Sequence, residues 1–122
     1  MPYHSSTKVM ENGVVQTGLK FDGAKPDLSL IPYSALEGMA RAFMVGEKKY
    51  GRDNFKAGMA SHRYVAAALR HILAWNNGES LDPETGNHHM WHALASSAMM
   101  LECETLGTLE DTRYVKPKPP GV

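Results

Sequence analysis

The sequence predicts an all-α fold: a small antiparallel helical bundle with an extended N-terminal arm and a disordered, Pro-rich C-terminal tail, the bundle being completed by oligomerisation. Three observations carry that expectation. Apolar residues recur at helical spacing in three segments. Start and stop signals stand at the segment ends. The connections between them are short enough to favour antiparallel neighbours. The chain has 122 residues, enough for one domain with a buried core. It divides into a polar arm over residues 1–18, a helical domain over 19–106 and a tail over 107–122.

Each element has its own signal. In the arm, "KVMENGVVQTG" allows a short hairpin about Asn12-Gly13, a dipeptide suited to a tight turn. "LKFDGAKPDLSLIPYS" follows, extended and rich in Gly, Pro and Asp, with an apolar end at Leu28, Leu30 and Ile31. The first helix opens at Ser34, with Glu37 at capping-box spacing; Leu36, Met39, Ala40 and Phe43 mark its apolar face, and Gly51 ends it. The second runs from about Ser61 to Trp75, with Val65, Leu69 and Ile72 on its buried side and Asn76-Asn77-Gly78 as its stop. The third runs from near Asn87 to Leu106, and its Ala and Ser residues permit close helix approach. Met39, Phe43, Trp75, Trp91 and Met99 read as core. "KPKPPGV" reads as unstructured.

Composition excludes several function classes. Thirteen basic and thirteen acidic residues cancel, so no overall field favours duplex nucleic acid. One cysteine, Cys103, cannot form an internal disulfide, which suits a reducing cytoplasm, and it has no base beside it to make it a nucleophile. The N-terminus lacks a signal-peptide layout, and no apolar run approaches a membrane span.

Four of the six histidines crowd the stretch "RHILAWNNGESLDPETGNHHMWHAL". His89, His92 and Ser96 share one face of the third helix, with His88 and His92 as the i, i+4 alternative. His71 projects from the second helix, and the loop supplies Glu79, Asp82 and Glu84. Imidazoles and carboxylates converging from two helices suit a first-row metal ion, here manganese or magnesium, which polarises phosphate oxygens and acidifies water. The metal candidates are His71, Glu79, Asp82, His89 and His92; the catalytic candidates are His71, Glu79 and Asp82. The same pattern also fits a helix corner in which Asp82-Pro83 caps a helix and the histidines are hydrogen-bonded core.

The stretch "GEKKYGRDNFKAG" is the densest basic run, with Lys48, Lys49, Arg52 and Lys56 interleaved by Tyr50 and Phe55. Lysine and arginine pair with phosphate, rings stack on a base, and Asn54 offers base-edge hydrogen bonds. A solvated helix end accounts for the lysines equally. Arg63 and Arg70 share a face of the second helix among small neighbours, as an anion clamp or as ion-pair partners. Lys20 and Lys25 lie on a Gly-containing loop that would close over a ligand.

The order "KFDGAKPDLSLIP", "ALEGMA", "GEKKYGRDNF", "ALRHILAW", "GESLDPETG", "HMWHAL" resembles the phage dATP/dGTP diphosphohydrolase N-terminal-type domain over roughly residues 18–104. The resemblance implies an all-α domain and hydrolysis of purine deoxynucleoside triphosphates between the α and β phosphates, with a divalent metal. It is similar more distantly to the all-α MazG-like nucleotide pyrophosphohydrolases, whose helical carboxylate pairs are replaced here by His89 and His92. The leading expectation is thus a metal-dependent nucleoside triphosphate diphosphohydrolase. In it Lys48, Lys49, Arg63 and Arg70 neutralise the triphosphate, and Tyr50, Asn54 and Phe55 contact the base. Two rivals stand beside it: a non-catalytic protein that sequesters a nucleotide or a cyclic-nucleotide defence signal, and a purely structural or interaction protein. Expected partners are a nucleotide and further copies of the chain, with no membrane and no duplex nucleic acid.

Overall fold

The computed structural model describes residues 23–121. The hairpin expected at Asn12-Gly13 and the loop lysine Lys20 lie outside them. The chain divides between Pro32 and Tyr33 into two units. In the first, the described residues form one 3-10 turn, Leu28–Leu30. Asp27 caps it, its carboxylate accepting from the Ser29 N–H at 3.1 Å and the Ser29 hydroxyl at 2.5 Å.

The second unit holds three helices: α1 (Tyr33–Tyr50), α2 (Ser61–Asn76) and α3 (His89–Leu106), with a 3-10 turn at Asn54–Ala57 between the first two. Among the described residues there is no strand, only two isolated bridges, Ala60 to Glu110 and Leu81 to His88. The all-α expectation is met.

α3 is the central element, packing on α2, on α1 and on the 3-10 turn. Against α2 it runs antiparallel, because Tyr64 meets Cys103 at one end and His71 meets His89 at the other. α1 runs in the same sense as α3: Gly38 lies against Trp91, while Phe55, just beyond α1, accepts a hydrogen bond from Cys103 Sγ through its carbonyl. α2 therefore runs opposite in sense to both α1 and α3, as short connections predict, and packs chiefly on α3.

Helix ends follow the sequence signals closely. Gly51, at φ 91°, stops α1, its N–H bonding the Glu47 carbonyl at 2.9 Å. Asn77 closes α2 and Gly107, at φ 77°, closes α3. Glu37 does not cap α1. It pairs one turn on with Arg41 at 2.8 Å, where both side chains are solvated. α3 begins at His89, two residues later than expected, because His88 is its N-cap: the ring Nδ1 accepts from the Met90 N–H at 3.0 Å.

The buried face of α2 is a correction. Val65, Leu69 and Ile72 are 49%, 49% and 37% exposed, and Trp75 is 44% exposed. The inward stripe is instead Ser61, Tyr64, Ala67, Ala68 and His71. Small residues win there because α3 presents Ala93, Ser96 and Cys103 across the seam, and close approach leaves no room for branched side chains. Cys103 is fully buried, with Tyr64 donating its hydroxyl hydrogen to Sγ at 3.5 Å. Burial, and then that bond, pushes the Tyr64 phenol up to about 12.

After α3 the chain turns back. Glu110 and Thr112 sit at the N-terminus of α2, where the N-cap position is Ala60, which has no side-chain acceptor to offer. The Glu110 carbonyl takes the Ser61 N–H at 2.8 Å, and Thr112 Oγ1 takes the His62 N–H at 3.2 Å. Gly58, at φ 80°, lies so close to the Thr108 carbonyl that any Cβ would collide with it. The segment just after Leu106, expected as the start of the tail, is thus hydrogen-bonded to α2 through Thr112.

Candidate active site at the α2–α3 corner

The loop joining α2 to α3 is pinned along its length. Asp82 accepts from the Glu84 N–H at 2.9 Å, so it caps a turn within the loop rather than a helix, correcting the helix-cap expectation for Asp82-Pro83. Its own N–H bonds the Asn87 carbonyl at 2.7 Å, and Gly86, at φ 76°, closes back on the Asp82 carbonyl at 2.7 Å. The His89 N–H reaches the Ser80 carbonyl at 3.0 Å. These bonds hold the loop carboxylates against the first turns of α3.

Three imidazoles meet there. His71 Nδ1 lies 2.8 Å from His89 Nδ1, and the other His89 nitrogen, Nε2, lies 2.7 Å from Glu79 Oε1. An ionised carboxylate only accepts, so His89 Nε2 carries the hydrogen. In the neutral ring this leaves a lone pair on His89 Nδ1, facing His71. His92 stacks on His71 with ring centroids 4.7 Å apart, and its Nε2 is 2.8 Å from Thr85 Oγ1 and 3.9 Å from Asp82 Oδ2. Burial pushes both His71 and His92 below the ordinary histidine value of 6.5, and the neighbouring His92 adds to the effect on His71. Both rings are thereby held uncharged near neutral pH.

His71, Asp82 and His89 can each offer one ligand atom, and these atoms lie within 4.8 Å of one another. A first-row ion with bonds of about 2.1 Å sets neighbouring ligand atoms about 3 Å apart, close to the Nδ1–Nδ1 separation of 2.8 Å. The donor set therefore fits such an ion. Glu79 stands behind His89, where a carboxylate orients a ligand imidazole. His92 is engaged by Thr85.

The corner opens into a polar cavity of about 420 Å³, lined also by Lys49, Arg70 and Ser96. Lys49 reaches across from the end of α1 to Glu84 at 3.4 Å. Beside it is an apolar cavity of about 730 Å³, lined by Met39, Phe43 and Met99, with Asn54 and Phe55 from the 3-10 turn. Phe43 and Phe55 meet edge to face at 5.4 Å. Met39, Phe43 and Met99, expected as core, thus line a cavity. Tyr50 borders both cavities.

Of the residues that the sequence singles out, His71, Asp82, His89, His92, Lys49 and Arg70 share the polar cavity, and Tyr50, Asn54 and Phe55 share the apolar one. Lys48 and Arg63 line neither, and His88 is occupied in capping α3. Sequence reasoning missed Thr85, whose position in a "PETGN" turn is its only signal, and Gly46, which borders both cavities.

The family model described as "dATP/dGTP diphosphohydrolase, N-terminal" matches residues 15–113. A protein of Salmonella phage PMBT28 named dATP/dGTP diphosphohydrolase is 44% identical over 85 residues, which is 70% of this chain and 29% of that one. The chain thus spans under a third of that relative's length. No solved structure matches. The match over residues 15–113 covers both cavity walls and the whole histidine corner, and the chain belongs to the dATP/dGTP diphosphohydrolase N-terminal family.

Proposed function

We propose that the chain is a nucleoside triphosphate diphosphohydrolase that cleaves purine deoxynucleoside triphosphates to monophosphate and pyrophosphate. The observation that carries this reading is one cavity in which His71, Asp82 and His89 converge beside the cations Lys49 and Arg70. Family membership supports the same substrate class.

In this reading His71, Asp82 and His89 hold a divalent ion, and two imidazole donors favour manganese over magnesium. When bound, that ion supplies Lewis-acid stabilisation of phosphate charge. Lys49 and Arg70 neutralise the triphosphate, whereas Lys48 and Arg63 lie outside both cavities and are left with surface roles. Water adds to the α-phosphorus, the bond to the α–β bridging oxygen breaks, and pyrophosphate leaves with the electron pair. His92, held uncharged by burial and outside the donor set, takes the proton of the attacking water. Glu79 fixes the orientation of His89. Tyr50, Asn54 and Phe55 receive the base in the apolar cavity.

The test is chromatographic product analysis of the chain with each of the four deoxynucleoside triphosphates, in manganese, in magnesium and in chelator. Monophosphate and pyrophosphate from dGTP or dATP, lost in chelator, are expected. A second reading is binding without turnover, in which His71 and His89 stay hydrogen-bonded to each other, as at 2.8 Å here, rather than to an ion. It requires intact nucleotide under every condition together with a raised melting midpoint. No helix among the described residues is long and apolar enough to cross a membrane, which suits action in the host cytoplasm. A second copy of the chain covers the exposed α2 stripe of Val65, Leu69, Ile72 and Leu73 in this reading.

A further inference from the structure

Two glycines interrupt α1, and each weakens the helix relative to alanine, so each needs a reason. Packing supplies it for Gly38, where a Cβ would overlap the Trp91 ring. It supplies none for Gly46: a Cβ there would meet no atom within 4 Å. Gly46 does border both cavities, on the wall they share with Ala42, Tyr50, Ala95 and Met99. The volume left by its missing side chain is therefore open cavity at the junction of an apolar and a polar compartment.

We propose that Gly46 is a specificity-determining position, kept bare so that one ligand passes from the apolar cavity into the polar one. The ligand class is an amphiphilic phosphoanhydride, with a flat, largely apolar group against the touching rings of Phe43 and Phe55 and its anionic chain toward Lys49 and Arg70. The linking group of the ligand then lies against Gly46. Both volumes fall within the range of small-molecule sites, and a largely apolar wall with Asn54 beside Glu47, Arg52 and Asp53 at its polar edge suits a heteroaromatic ring better than phosphate. This rests on the nucleotide reading and adds to it where the sugar crosses between compartments.

The test is calorimetry with manganese present, comparing wild type, Gly46→Ala and Gly46→Leu. The probes are α,β-methylene dGTP, which resists cleavage, and inorganic tripolyphosphate, which needs only the polar cavity. Gly46→Leu is expected to weaken the nucleotide about ten- to hundredfold while tripolyphosphate stays within about twofold. Gly46→Ala is expected to melt no lower than wild type and to weaken the nucleotide less. Equal losses for both probes, or no loss for either, would overturn the proposal. A wild-type chain that binds neither probe overturns the nucleotide reading itself, whereas unchanged nucleotide binding by Gly46→Leu overturns only the role of Gly46.

Discussion

At the scale of single residues, the proposed function has Glu79 act on the corner through His89 rather than on the ligand. Its carboxylate, 2.7 Å from His89 Nε2, fixes the tautomer that turns the Nδ1 lone pair toward His71. Glu79→Gln keeps the shape and removes the charge. Loss of such an outer partner is expected to weaken metal binding about 10- to 100-fold, read by competition with a chromophoric chelator on manganese-loaded protein. Unchanged affinity would remove Glu79 from the site, and complete loss would make it a direct ligand. The sequence shows that Glu79, His89 and His71 belong together, because ligand-type residues are rare enough for their density to carry information. It does not show their order, since the choice between inner and outer position depends on a side chain's reach across the loop. Thr85 and Gly46 gave no chemical signal at all: one is a turn residue, the other an absence of side chain.

Among the elements, the ends of helices were legible and their faces were not. Gly51, Asn77-Gly78 and Gly107 mark stops by local backbone preference, which a sequence displays directly. The face that α2 buries is set by α3, whose small residues admit only small or slender partners, so the larger apolar residues turn outward. Its N-terminus is equally non-local. Ala60 cannot cap, and Thr112 supplies the acceptor from 50 residues away. Thr112→Val removes that oxygen and the 3.0 Å contact with Ser61 Oγ while keeping the shape. It is expected to cost about 0.5–2 kcal/mol, as loss of a helix cap does, in denaturant titration. A midpoint equal to wild type would show that water replaces the threonine at no cost.

For the molecule as a whole, the buried core is modest and made largely of small side chains, while apolar residues on α2 stay in water. Contiguous apolar surface of that kind marks an interaction face in a soluble chain. The copy-on-copy contact proposed for it predicts concentration-dependent self-association in sedimentation equilibrium. A Leu69→Lys/Leu73→Lys double variant should shift toward monomer while keeping its helical signal. A wild-type chain that stays monomeric at every concentration tested would leave that stripe without a second copy. Sequence periodicity found these residues but assigned them to the interior of one chain, because a buried face and an exposed apolar face obey the same helical spacing.

The return of Glu110 and Thr112 to α2 also orders events in time. Made from the N-terminus onward, the chain exposes the start of α2 before residues 110–112 have left the ribosome, so the Ser61 and His62 N–H groups face water until that later segment emerges. The second helix to be synthesised thus gains its N-terminal hydrogen bonds only once Glu110 and Thr112 have emerged and folded back.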